Sequence, residues 1–159
     1  MSEINELLEQ YAAGPQLVAA ALAGATLEAQ NYHPAEDKWS VRQLVAHLAD
    51  SELEGSVRFR FILAEDNPQL TASDQNAWSQ RLKYSDEDPQ ESLELFRHLR
   101  RRNYELLKDL DEEAFLRSGN HPKRGTVTLL DLLRIYAKHA EKHAQQIRAA
   151  RQAYENSRA

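Results

Sequence analysis

The sequence predicts an all-α protein, a four-helix bundle with a long connection between its second and third helices. Three observations lead there. Apolar residues recur every three or four positions in four separate stretches, the period of a helix with one buried face. The five glycines and five prolines fall almost entirely between those stretches, which disfavours a many-turned β fold. A length of 159 residues, 42% apolar and 28% charged, suits one domain over residues 1–159 with a real core.

The first stretch, residues 3–30, carries Ile4, Leu7, Leu8, Tyr11, Leu17, Leu22 and Leu27, and Gly14-Pro15 is expected to break or kink it. The second opens at Ser40 with Gln43 three residues on, a capping-box pattern in which each side chain satisfies an unpaired amide of the first turn. Val41, Leu44, Leu48, Gly55, Phe59 and Ile62 continue it, and it should fade near Glu65, ahead of Asn67-Pro68. The connection over residues 66–89 is polar but holds Trp78 and Tyr84, so it is expected to pack over the bundle.

The third helix is expected over residues 90–110, on Leu93, Phe96, Leu99, Tyr104, Leu106 and Leu107. Arg97, Arg100, Arg101 and Arg102 lie among Glu91, Glu94, Glu105 and Asp109, which reads as a solvated, salt-bridged face. Residues 118–125 are rich in turn formers and read as a loop. The fourth helix begins at Thr128, with Asp131 as a weaker capping partner, and runs to about Tyr154.

Composition narrows the function. A net charge of −5 argues against a general nucleic-acid binder, which needs a concentrated basic surface. No apolar run approaches the roughly 20 residues that span a bilayer, so no membrane is expected as a partner. The first residues lack the basic-then-apolar pattern of a signal peptide, and a cytoplasmic protein is expected. Cysteine is absent, which leaves nitrogen and oxygen as metal ligands and excludes a cysteine nucleophile.

Of six histidines, His139 and His143 stand four apart on the last helix. They are therefore separated by roughly 40° around the axis and about 6 Å along it, on a stripe with Leu132, Tyr136 and Ile147. Two imidazoles facing a core need polar partners, water or a shared cation. His47, between Leu44 and Leu48, read alone is a boundary histidine; joined to the pair it completes an all-nitrogen set drawn from two helices. The motif is not the zincin His-Glu-x-x-His, because Glu141 follows His139 by two residues. A carboxylate-bridged di-iron centre is also excluded, as no Glu-x-x-His element occurs.

The segment Trp39-Ser40-Val41-Arg42-Gln43-Leu44-Val45-Ala46-His47-Leu48-Ala49-Asp50-Ser51-Glu52 resembles the W-S-x-x-E-x-x-x-H-L-x-D-x-E segment of the DinB-like (DinB/YfiT) superfamily. Asp74-Gln75-Asn76-Ala77-Trp78 is also similar to that family. So are His121-Pro122, Gly125, Thr128-Leu129 and the stretch from His139 and His143 to Gln146-Ile147. Gln43 replaces the common Glu, and Ala140 stands where many relatives carry Asp. The resemblance implies a four-helix bundle, a homodimer in many members, and one divalent metal ion on His47, His139 and His143. It also implies activities that include thiol transfer with bacillithiol or a related low-molecular-weight thiol, and mycothiol-dependent isomerisation.

Three imidazoles leave an open coordination position, as catalytic sites do. Zinc fits the ligand type first, with nickel and iron as alternatives. Gln146 is a candidate to orient His143, and His121 to line the mouth; a surface amide and a turn residue are the competing readings. His33 and His98 are assigned to the surface. The first functional expectation is a metal-dependent transferase joining a soluble thiol to a small electrophile in detoxification or stress. The second is a metal-dependent hydrolase that activates water, and the third a non-catalytic metal-binding bundle.

Overall fold

Short-range capping sets where the helices start in the computed structural model, which describes residues 2–159. Helix α1 (Glu3–Leu22) opens on Ser2, and α2 (Leu27–Asn31) on Thr26. Helix α3 (Val41–Ala64) opens on Ser40 with both bonds of the capping box to Gln43 in place. Helix α4 (Gln75–Arg81) lies inside the long connection. Helix α5 (Pro89–Leu107) has proline in its first turn, where a missing amide hydrogen costs nothing. Helix α6 (Leu129–Arg158) opens on Thr128, and Asp131 closes a full capping box there. Among the described residues no helix is long and apolar enough to cross a membrane.

Helices α1, α6, α3 and α5 form the bundle in that cyclic order, each packed against the next, with α5 closing back on α1. The core has two apolar blocks. One contains Leu8, Phe59, Ile62, Leu107, Leu129 and Leu133, the other Val18, Val45, Leu48, Phe96, Ala144 and Ile147. Between them, near the middle of α1, α3 and α5, lies a buried polar layer. Arg100 Nε pairs with Glu52 Oε2 at 2.9 Å, and both residues are almost wholly buried. Tyr11 donates its hydroxyl to Glu52, and the Asn103 amide donates to Ser56 Oγ at 2.7 Å.

Arg100 corrects two expectations. It is not on the solvated face with Arg97, Arg101 and Arg102, which are exposed as expected. Its spacing from Leu93, Phe96, Asn103 and Leu107 puts it on the buried stripe. Nor does Pro15 break the first helix: α1 runs through it. Proline cannot donate to the carbonyl four residues back, and Arg100 Nη1 supplies that missing donor to Tyr11 O at 2.6 Å. Gly14 leaves the room, since a Cβ there would lie 2.6 Å from Arg100 Nη1 and 2.8 Å from Ala140 Cβ. The helix ends instead before Gly24, whose φ of 76° suits glycine, and α2 follows as a separate short helix.

The connection packs over the bundle through Tyr84, which is buried and donates its hydroxyl to Asp50 at 2.7 Å, while Trp78 is half-buried. Residues expected as a loop instead form a hairpin, β1 (Ser118–His121) antiparallel to β2 (Gly125–Thr128). The connection lengthens its edge: Leu70 N donates to Asn120 O and Asn120 N to Pro68 O, both at 2.8 Å. The two four-residue strands, Ser118-Gly119-Asn120-His121 and Gly125-Thr126-Val127-Thr128, are too short and too polar to show an apolar alternation in the sequence.

Candidate metal centre

The capping box that starts α3 fixes its phase, and two turns later His47 points inward and is buried. On α6, His139 and His143 present their rings one turn apart on the side facing α3. The three rings meet edge-on, with centroids 4.4 to 5.2 Å apart. His139 Nε2 lies 3.3 Å from His47 Nε2 and 2.9 Å from His143 Nε2. Ligand-capable atoms of all three lie within 4.8 Å of one another.

Those separations fit a common cation. Nitrogens bonded at 2.0–2.1 Å to one ion stand about 2.9 Å apart at a right angle and about 3.3 Å apart at the tetrahedral angle. The proton arrangement agrees for His143: its Nδ1 donates to Gln146 Oε1 at 2.6 Å, which leaves the Nε2 lone pair free to converge. His139 Nδ1 is buried and has no hydrogen-bond partner. Without a cation, His139 Nε2–H can donate to His143 Nε2; as a ligand through Nε2, His139 would carry its proton on that bare Nδ1.

Burial is the main reason all three rings stay neutral. It lowers His47 from its ordinary 6.5 to about 3, helped by the repulsion that a protonated His143 would exert and by the charge of Lys142. It lowers His139 to about 2, with His143, His47, Arg100 and Lys142 adding to the effect. Burial lowers His143 too, against the opposing effect of its hydrogen bond to Gln146. Neutral imidazole is the form that ligates metal.

Two cavities open onto the cluster. One, about 540 Å³, has His139 and His143 in its wall with Tyr136, Arg58, His121 and Lys142. The other, about 470 Å³, shares His143 and Lys142 but is walled by Trp39, Leu44 and Ala150, with Gln146 at its edge. Trp39 also packs on the His47 ring at 5.2 Å. Tyr136 is held by Arg58 Nη1, which donates to its hydroxyl at 2.9 Å, and Gly55 leaves space for its ring.

The family model described as the DinB superfamily matches residues 10–147. The chain belongs to the DinB superfamily. Two similar proteins carry provisional names as metal-dependent hydrolases. YfiT of Bacillus subtilis is 36% identical over 110 residues, 69% of this chain and 62% of the relative's own length. OB0782 of Oceanobacillus iheyensis is 30% identical over 145 residues, covering 91% and 83% of the two chains. The solved structure of B. subtilis YfiT, described provisionally as a metal-dependent hydrolase with an unusual four-helix bundle topology, superposes with a TM-score of 0.88 at 29% identity. That match covers 94% of this chain and 87% of the other.

Of the residues singled out in the sequence, His47, His139 and His143 come together, and Gln146 touches the set through His143. His121 is buried in the hairpin, where Nδ1 accepts the amides of Lys123 and Arg124, and its ring forms part of the larger cavity. His33 and His98 are exposed. In the resembling motif, Asp50 and Glu52 prove structural, one holding Tyr84 and the other Arg100. Sequence reasoning missed Tyr136 as a wall of the site. It also missed Lys138 and Lys142, although each immediately precedes a histidine of the pair.

Proposed function

We propose that this protein is a metal-dependent enzyme in which His47, His139 and His143 hold one divalent cation, zinc by ligand type, and that it hydrolyses a small molecule. The observation that carries this reading is the convergence of three neutral Nε2 atoms beside an open cavity, with no carboxylate in the ligand set. The provisional names of the relatives support the hydrolytic choice. When bound, such an ion supplies Lewis acidity, bringing the pKa of water to about 7 or stabilising a thiolate. The chain's own residues orient and enclose: Gln146 fixes the His143 ring, Trp39 covers His47, and the Arg58–Tyr136 pair forms the far wall.

A second reading, transfer of a soluble thiol to an electrophile, is favoured by the second cavity that meets the first at His143 and Lys142. Its apolar wall of Trp39, Leu44 and Ala150 suits an additional substrate that hydrolysis does not require. Elemental analysis of the wild type, His47→Ala and His139→Ala tests the common premise; metal loss in both variants is expected. Unchanged metal in either removes that residue from the site. With metal loaded, turnover of activated esters and amides without thiol supports hydrolysis. Turnover of a generic electrophile only in the presence of a thiol panel moves the assignment to transfer.

A further inference from the structure

The chain carries 20 basic and 25 acidic residues, yet the larger cavity beside His139 and His143 is walled by cations. Lys138 and Lys142 come from α6, and Lys123 and Arg124 from the tip of the β1–β2 hairpin. None of the four forms an ion pair among the described residues. The carboxylate in the same wall, Glu54, is already matched: it sits 3.1 Å from Arg58 Nη2 and accepts from Ser73. Four unpaired cations around one concavity make it a region of positive potential, which favours the entry of an anion.

The arrangement is also held in place. On α6 the two lysines are one turn apart, each preceding a histidine of the cluster, so they form a row alongside the imidazoles, rotated by about 100° around the axis. At the hairpin tip, His121 Nδ1 accepts the backbone N–H of both Lys123 and Arg124 at 3.1 Å. Gly125, with φ of 75°, completes the turn. One cationic pair thus rides on a rigid helix and the other on a turn braced by a buried ring.

We propose that this cavity selects a small anion, a molecule bearing a carboxylate or phosphate group gripped by Lys123, Arg124, Lys138 and Lys142 while its reactive part faces His139 and His143. The proposal rests on the reading of the site given above for what happens at the histidines, but anion binding itself needs no metal. His121 is a positioning residue here.

The test is isothermal titration of metal-free protein with succinate, inorganic phosphate and the neutral analogue succinamide. Wild type, Lys123→Ala/Arg124→Ala and Lys138→Ala/Lys142→Ala are compared, with metal content after reloading measured on each. Succinate or phosphate should bind the wild type, and the tighter of the two names the head group. Each double variant should weaken that binding about tenfold, since one exposed ion pair contributes a few-fold. Both variants should still reload metal. Equal affinity across all three proteins, succinamide binding as well as succinate, or no binding of either anion would overturn the proposal. Anion binding intact in a wild type that takes up no metal would sink the metal assignment and leave this one standing.

Discussion

Replacing Arg100 with methionine should cost the bundle about 4 kcal/mol, because one side chain satisfies three buried acceptors on three helices. It pairs with Glu52 at 2.9 Å and donates to Tyr11 O at 2.6 Å and Tyr136 O at 2.7 Å. Removing one member of a buried ion pair costs about 3–5 kcal/mol, since the survivor is left charged in a poor solvent. Tyr11 O adds to the cost, as Pro15 cannot return a donor to it. Part is offset because Glu52 keeps Tyr11 and Asn103 as donors, and because methionine fills the stem's place between Tyr11 and Phe96. Against a typical total stability of about 5–15 kcal/mol this is a large fraction. Urea unfolding followed by far-ultraviolet circular dichroism reads it as a lower midpoint at unchanged slope. Arg97→Met, which removes an exposed pair with Glu94, is the control and should stay within about 0.5 kcal/mol. Adding Glu52→Gln to Arg100→Met should restore part of the loss by discharging the stranded carboxylate. A loss below about 1 kcal/mol, or further additive destabilisation in the double variant, would refute the reasoning.

Three further outcomes are expected. In metal-free protein, stability should fall with acid. His47 and His139 titrate near 3 and 2 when folded but near 6.5 when unfolded, so the unfolded chain takes up protons first, below about pH 6.5. Each contributes about 2 kcal/mol of loss between pH 7 and pH 5, and His139→Ala should flatten the profile by that amount; an unflattened profile would discard burial as the cause. Gly14→Ala should lower the melting temperature despite alanine's better helix propensity, because crowding against Arg100 and Ala140 costs about 1–3 kcal/mol; a melting point at or above wild type contradicts this. Gln146→Leu should weaken zinc about 10- to 100-fold in a chelator competition while leaving the fold intact, and unchanged affinity would remove Gln146 as the group that orients His143.

What was legible in the sequence was local. Ser40 with Gln43 and Thr128 with Asp131 announce their helices because both partners lie within one turn. The His139–His143 pair shares a face for the same reason. The misreadings involve partners far apart in the chain. Pro15 looked like a break because its compensating donor comes from Arg100, 89 residues beyond the carbonyl it bonds. Arg100 looked solvated because its neighbours in sequence are charged, although its spacing from Phe96, Asn103 and Leu107 carried the contrary signal. The cationic cavity was out of reach for a different cause: its two halves meet only after the hairpin folds onto α6.

The polar layer at mid-bundle acts as a ruler. Sliding one helix by a single turn, about 5.4 Å, would carry Arg100 or Glu52 out of the layer and into an apolar block, so the four helices have one admissible vertical alignment. Glu52 stands five residues beyond His47 on α3, and Arg100 grips α6 at the carbonyl of Tyr136, three residues before His139. The heights of the two histidine-bearing helices are therefore tied together through a third helix that contributes no histidine to the cluster. A salt bridge roughly one helical turn below the three nitrogens thus helps to fix the height at which they meet.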